Sequence, residues 1–98
     1  MTNGTHKKIR LSGHMDVPPD RMDAVLSAVI DHINLTRAEE GCLSFEVTPC
    51  PDVQGRFLVA ETFKNRAAFD HHQTRTSTSP WAKITTGLPR DYKITEVS

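Results

Sequence analysis

Hydrophobic and polar residues alternate with a period of two in residues 9–17 and in residues 42–48, where Leu43, Phe45 and Val47 share one side; with two later segments, this pattern predicts four β-strands. The first predicted strand spans residues 9–17, the second 42–48, the third 57–63 and the fourth 92–97. In the first, the apolar residues share one side: Ile9, Leu11, Met15 and Val17. In the third, both sides are mostly apolar, which is typical of a strand that is covered on both faces.

Between the first two strands, apolar residues recur at steps of three and four, which predicts an amphipathic helix. The predicted helix begins near Pro19 and carries one apolar stripe: Met22, Val25, Leu26, Val29, Ile30 and Ile33. Gly41 is a suitable turn residue beyond its end.

Asn65 is a good N-cap for a second, short helix that carries Ala68, Phe69 and His72. The Thr- and Ser-rich residues 73–79 are expected to form a loop or a frayed turn. Pro80 can then open a third helix with Trp81 and Ile84 that stops near Gly87.

The resulting order, β-α-β-β-α-β, predicts an α+β ferredoxin-like domain, with an antiparallel sheet and its helices on one face. We expect residues 1–6 to form a flexible tail and residues 7–98 to form this single domain. Because the helices leave one sheet face open while the third strand is apolar on both sides, we expect a second copy to pack sheet against sheet in a homodimer.

The composition and charge of the chain bear on its partners and on its location. The 98 residues include 12 Lys plus Arg and 12 Asp plus Glu, so the formal net charge is zero and nothing predicts attraction to nucleic acid or to an anionic membrane. No apolar run approaches the roughly 20 residues of a membrane span. The polar first residues lack the apolar core of a signal peptide, and we expect a cytoplasmic protein.

Cys42 and Cys50 lie eight residues apart around one predicted strand, too far for a disulfide, and are expected to be free thiols.

Two stretches of the chain resemble the antibiotic biosynthesis monooxygenase family of small dimeric α/β-barrel proteins. Residues 40–47 read EGCLSFEV and residues 57–72 read FLVAETFKNRAAFDHH. Family members typically read E-x-G-C-x-x-[YF], then F-x-x-x-E-x-[WF]-x-[DN]-x-x-A-[FL]-x-x-H. The resemblance implies oxidation of a small aromatic, phenolic or quinol-type substrate by O2, with no metal, flavin or haem as cofactor.

The resemblance carries over to four positions: Glu61, Asn65, Phe69 and His72. Residues 73–79 depart from the family pattern, in which a short helix with Pro-His-Phe follows quickly. Haem-degrading proteins of the same fold are a poorer match, because the first strand offers no asparagine and no histidine follows His72.

His72 is the candidate base, since imidazole titrates near neutral pH; alternatively, it is a helix-end histidine without a catalytic role. Glu61 shares a strand face with apolar residues, where an unpaired carboxylate is costly. It is either a catalytic group that orients His72 or a structural ion-pair partner of Arg10 or Arg56, and the structural interpretation is favoured.

Trp81, Phe69, Phe45 and Asn65 are the candidate substrate-binding residues, although Trp81, Phe69 and Phe45 are also residues of a kind that fill a core. His14 and His32 lack the spacing of a metal site, and no metal is expected. Two other functions remain open on this fold: a dimer that binds a small molecule without catalysis, in storage or a stress response, and an isomerase or cyclase.

Overall fold

The computed structural model describes residues 7–97 of the chain. The tail predicted for residues 1–6 lies outside the described residues. The chain forms four strands and three helices in the predicted order: β1 (Lys8–Asp16), α1 (Pro19–Arg37), β2 (Cys42–Pro49), β3 (Arg56–Phe63), α2 (Arg66–Ser77), α3 (Pro80–Ile84) and β4 (Arg90–Val97). The α+β ferredoxin-like prediction is confirmed.

The four strands form one antiparallel sheet in the order β2-β3-β1-β4. Glu61 of β3 lies opposite Leu11 of β1 and opposite Phe45 of β2. Residues that face each other across an antiparallel pair project from the same side of the sheet. Leu11, Phe45 and Glu61 therefore all point towards the helices.

Helices cover only this side of the sheet, and the core beneath them has two apolar clusters. The first lies where α2 packs, and it contains Ile9, Leu11, Val59, Phe63 and Phe69. The second lies at the other end of the strands, beside the start of α1, and contains Met15, Val17, Val25, Phe57 and Leu88. On the other sheet face, Arg10, Ser12, Leu58 and Ala60 are exposed, and the sheet-to-sheet homodimer remains a prediction.

The apolar stripe predicted for α1 is partly wrong. Leu26 is 45% exposed and Ile30 is 62% exposed, whereas the buried positions are Val25, Val29, His32 and Thr36. The buried face is thus turned towards α2, where Thr36 accepts a hydrogen bond from Arg75. A buried helix face that is predicted from apolar residues alone omits polar residues that are buried with a hydrogen-bond partner.

The second helix is longer than predicted, and the loop or frayed turn expected at residues 73–79 is wrong for residues 73–77. α2 continues to Ser77, and Ser79 then caps α3 by accepting a hydrogen bond from the Ala82 amide. Arg75 binds Glu39 and Thr36, which fixes the last turn of α2 against the end of α1. These tertiary contacts outweigh the weak helix propensity of the Thr and Ser residues.

The alternation predicted for β2 fails at Leu43, which is exposed rather than buried with Phe45. The register with β3 shifts between Cys42 and Ser44. An extra residue in one strand of a pair turns the side chains before it to the opposite face. Phe45 keeps its predicted position in the core.

Candidate functional site

His72 lies in the interior between α2 and the sheet. Asn65 caps α2 as predicted, by accepting a hydrogen bond from the Ala68 amide. The His72 side chain, two turns further along the helix, points at the sheet and is 2% exposed. Its ring stacks on Phe63, with the centroids 4.8 Å apart, and lies edge-on to Phe45 at 5.9 Å. The aromatic neighbours therefore hold the imidazole in one orientation.

The two nitrogens of His72 have different partners. Nδ1 lies 3.2 Å from both carboxylate oxygens of Glu39, and Nε2 lies 3.7 Å from Oε1 of Glu61. Because a carboxylate can only accept, Nδ1 carries the proton in the neutral ring and donates it to Glu39. Nε2 is then left as the basic atom, which faces Glu61 and the hydroxyl of Thr76 at 3.5 Å.

Glu39 holds this arrangement together, and residue-by-residue reading of the sequence missed it. Its carboxylate binds both His72 and the guanidinium of Arg75. The available signal was the family pattern E-x-G-C, whose glutamate falls on Glu39 in this chain. Position 41 requires glycine, because a Cβ there would lie 2.2 Å from the Cβ of Ala68. The glycine thus lets the segment with Glu39 pack closely against α2.

Glu61 is buried, as its strand position predicted, but the expected arginine partner is wrong. Arg56 forms its ion pair with Asp16 instead. Glu61 is 7% exposed, and its Oε1 has no hydrogen-bond partner among residues 7–97. Burial, with a smaller contribution from the charge of Glu39, raises the pKa of Glu61 to about 7. At neutral pH this carboxyl group is therefore only partly ionised, beside the basic nitrogen of His72.

Burial also lowers the pKa of His72, and the hydrogen bond and charge of Glu39 oppose that shift. The desolvation of the ring outweighs the attraction of Glu39, and the positive charge of Arg75 acts in the same direction as desolvation. His72 is therefore a neutral imidazole at neutral pH, with Nε2 available to accept a proton.

His32 is the second buried imidazole, and the sequence analysis considered it only as a histidine that lacks the spacing of a metal site. It lies on the buried face of α1, at helical spacing from Val25, Val29 and Thr36. Its ring stacks on Trp81 with the centroids 4.7 Å apart and an interplanar angle of 6°. The His72 ring is 6.2 Å away. His32 therefore lies between the polar interior and Trp81.

A cleft of about 550 Å³ opens between α1 and α3, on the far side of His32 from the sheet. Its walls are mostly apolar, and its charged or polar groups include His32, Asp31, Asn34 and Arg75. The other lining residues are Ala24, Ser27, Ala28, Leu35, Ser79, Pro80, Trp81 and Ile84. A volume of this size suits a small organic molecule.

The structure brings together some of the predicted site residues and separates others. His72, Glu61 and Phe45 lie in contact in the interior, and Trp81 lines the cleft. Phe69 packs on Phe63 in the core, and the Asn65 side chain is engaged in capping α2. The cleft lining includes neither Phe69 nor Asn65, and their substrate-binding roles stay predictions.

Within residues 7–97 there is no group of three or more His, Cys, Asp or Glu side chains placed to hold a metal ion. The helices in this part of the chain are also too short or too polar to span a membrane.

A family model described as antibiotic biosynthesis monooxygenase matches residues 9–82. Among curated proteins, an uncharacterized protein of Synechocystis sp. is 30% identical over 69 residues, which are 70% of this chain and 47% of that protein. The chain thus spans about half the length of the curated relative that it matches.

Solved structures share the fold at low sequence identity. A conserved protein of unknown function from Bacteroides thetaiotaomicron, described as a possible oxidoreductase, has a TM-score of 0.75 at 18% identity, covering 93% of this chain and 98% of that one. A proposed antibiotic biosynthesis monooxygenase from Nitrosomonas europaea has a TM-score of 0.72 at 19% identity, covering 97% and 93%. A conserved protein from Methanosarcina mazei has a TM-score of 0.76 at 17% identity, covering 95% of each.

Proposed function

The chain belongs to the antibiotic biosynthesis monooxygenase family, and from this premise we propose that it oxidises a small phenolic or quinol-type molecule with O2, without a metal or an organic cofactor. One observation carries the proposal: an apolar cleft lies beside a buried cluster that can accept a proton. This buried cluster consists of His32, Thr36, Glu39, Glu61, His72 and Arg75. The members of this family that are enzymes use such chemistry.

The proposed reaction needs no external reductant, because the substrate supplies the electrons. Loss of a proton from the phenol leaves an electron-rich anion that reduces O2. A bond then forms between carbon and one oxygen atom, and the O–O bond breaks. One oxygen stays on the ring as a carbonyl, and the other leaves as water with two hydrogens from the substrate.

We assign the proton-accepting role to Nε2 of His72. Glu39 keeps the proton of the neutral ring on Nδ1 and stabilises the imidazolium that forms, so its carboxylate orients and supports the base. Glu61, whose Oε1 lies 3.7 Å from Nε2, can exchange protons with it. Two neighbouring groups, His72 and Glu61, can therefore take the proton. The pKa of His72 is lowered by burial, and that of Glu61 is about 7.

A phenol titrates near pH 10, about three units above an ordinary histidine, so the anion itself must be stabilised. Arg75 borders the cleft and carries a positive charge that Glu39 only partly offsets. This charge favours a phenolate over a neutral phenol. Trp81 offers a flat apolar wall that suits an aromatic ring.

A second candidate is binding without catalysis. Its support is that His72 itself does not line the cleft, whose walls are mostly apolar. An isomerase or cyclase would use the same proton acceptors without O2. We also propose that the protein acts as a homodimer joined through the open sheet face.

Oxygen uptake tests the proposal. Anthrone, whose enol tautomer is a phenol, serves as the probe substrate, and protein-free samples give the background rate. We expect the protein to consume one O2 per anthraquinone formed. His72→Phe should lower the rate by about 100-fold, the typical contribution of a general base. His71→Phe, a change at the exposed neighbour, should leave it unchanged.

Binding of anthrone without oxygen uptake above background would favour the non-catalytic candidate. An oxygen-independent change in the probe would favour an isomerase. Equal rates in wild type and folded His72→Phe would remove His72 from the mechanism.

A further inference from the structure

His32 has a feature that the proposed chemistry leaves unexplained. Its side chain is 6% exposed, and its Nδ1 has no hydrogen-bond partner among the described residues. Buried polar atoms without partners are uncommon in native proteins, because each costs free energy that a partner would recover. The same ring borders the cleft. Because the Nδ1 atom itself is covered, a ligand hydroxyl reaches it only by displacing part of the surrounding wall, and such a ligand is a candidate partner for this nitrogen.

The ring of His32 is held in place on more than one side. The Trp81 ring lies parallel to it, with the ring centroids 4.7 Å apart. The Phe45 ring lies edge-on to it, with the centroids 5.3 Å apart and an interplanar angle of 80°. A polar group that is fixed by aromatic packing can meet a ligand without first losing side-chain freedom. Trp81 also lines the cleft, so the ligand that reaches His32 passes along an aromatic wall.

We propose that His32 is the specificity-determining residue of the cleft, and that its Nδ1 accepts a hydrogen bond from the hydroxyl of a flat aromatic substrate. This inference rests on the proposed substrate class. His72 takes no part in this hydrogen bond, because its ring centroid lies 6.2 Å from that of His32. The hydroxyl would thus be bound on the side of the cleft that faces the buried cluster.

The charge state of His32 agrees with an orienting role. Burial, with smaller contributions from His72 and Arg75 on α2, lowers its pKa to about 4, and Glu39 acts in the opposite direction. A neutral imidazole has one nitrogen that accepts a hydrogen bond. A group with a pKa this low binds a proton weakly at neutral pH. The role assigned to His32 is therefore to recognise the hydroxyl and not to deprotonate it.

A matched pair of probes tests this assignment without turnover. The probes are 2-naphthol and 2-fluoronaphthalene, which have nearly the same shape but differ in the hydroxyl donor. Their affinities are measured by calorimetry, with protein titrated into each probe. We expect wild type to prefer 2-naphthol by about tenfold, the value of one good hydrogen bond.

His32→Phe keeps an aromatic ring against Trp81 but removes the acceptor. In this variant we expect the preference to fall to less than about twofold, with 2-fluoronaphthalene still bound. His71→Phe on the exposed side of α2 is the matched control, and it should keep the tenfold preference.

Nitrogen NMR of wild type with labelled histidine supplies a measurement that needs no variant. We expect the Nδ1 resonance of His32 to shift with 2-naphthol and to move little with 2-fluoronaphthalene. Each of three results would overturn the proposal: a wild type that binds neither probe, a wild type without preference for the hydroxyl, or a preference that survives in folded His32→Phe.

The outcome separates this inference from the proposed function. Oxygen uptake that is unaffected by His32→Phe, in a protein that oxidises anthrone, would defeat the role of His32 alone. A hydroxyl preference that depends on His32, in a protein that consumes no O2, would defeat the oxygenase and leave the recognition site standing.

Discussion

The two ends of the interior are built in different ways. At the apolar end, Met15, Val17, Val25, Phe57 and Leu88 pack together beside the start of α1. At the other end, the same sheet face carries Glu61 against His72, with Glu39 and Arg75 behind them. An apolar cluster stabilises a fold by excluding water, whereas buried titratable groups cost desolvation energy. The difference teaches that one end is stabilised by apolar packing alone, whereas the other end combines an apolar cluster with the buried titratable groups that the proposed chemistry needs.

The largest expected effect on stability lies at the apolar end. Phe57 is buried and lies opposite Met15 in the sheet. Phe57→Ala removes apolar contacts and leaves a cavity, so we expect the free energy of unfolding to fall by about 3–5 kcal/mol. Chemical denaturation monitored by the signal of Trp81 measures this loss. A loss below about 1 kcal/mol would mean that the apolar cluster at this end contributes little to stability.

The next effect is a pH dependence at the buried cluster. Burial raises the pKa of Glu61 to about 7, so the folded protein holds this proton more tightly than the unfolded chain does. The stability from Glu61 is therefore fully present below about pH 4, the ordinary pKa of glutamate, and is lost as pH rises to 7 and above. The loss is on the order of 2–3 kcal/mol.

Glu61→Gln keeps the shape of the side chain but cannot ionise. We expect this variant to lose less stability than wild type between pH 5 and pH 8, and to be the more stable protein at pH 8. Denaturation midpoints across this range test it. Parallel pH profiles of wild type and variant would show that Glu61 is not held in its protonated form by burial.

A smaller effect is expected at Glu39, for which the chain offers a matched control. Glu39 binds His72 and Arg75 in the interior, whereas the side chain of Glu40 is 94% exposed and lies 3.9 Å from Lys64. Glu39→Gln should cost about 2 kcal/mol, since hydrogen bonds to charged groups are lost and Arg75 loses its partner. Glu40→Gln should change stability by less than about 0.5 kcal/mol. Equal costs at the two positions would contradict the assigned network.

The smallest effect concerns the open sheet face, which both ends of the interior share. Leu58 is exposed on that face. If two copies pack through it, Leu58→Glu should weaken dimerisation by about tenfold, because it places a charge in an apolar contact. Sedimentation of wild type and variant at several concentrations measures this. A wild type that sediments as a monomer at every concentration would exclude the dimer.

Sequence reasoning recovered the fold because it depends on periodicity and turn residues, which are local. The order of the helices and strands along the chain and the N-cap of α2 followed from such patterns. It failed where distant residues decide the outcome. The last turn of α2 is fixed by Arg75 on Glu39 and Thr36, and neither contact is visible in the local pattern.

The candidate site was recovered in part for the same reason. His72 and Glu61 do come together, and Trp81 does line the cleft. His32 was missed as a site residue, because its position becomes informative only once α1 is known to turn that face towards Trp81. Glu39 was missed because its partners lie more than 30 positions away.

The most direct test of the proposed oxygenase is to follow the oxygen atoms. Anthrone is incubated with the protein under ¹⁸O2, and product and water are analysed by mass spectrometry. The proposed reaction places one labelled atom in the new carbonyl of anthraquinone and the other in water. Unlabelled anthraquinone, or labelled product at no more than the protein-free rate, would contradict the assignment of this protein as a monooxygenase.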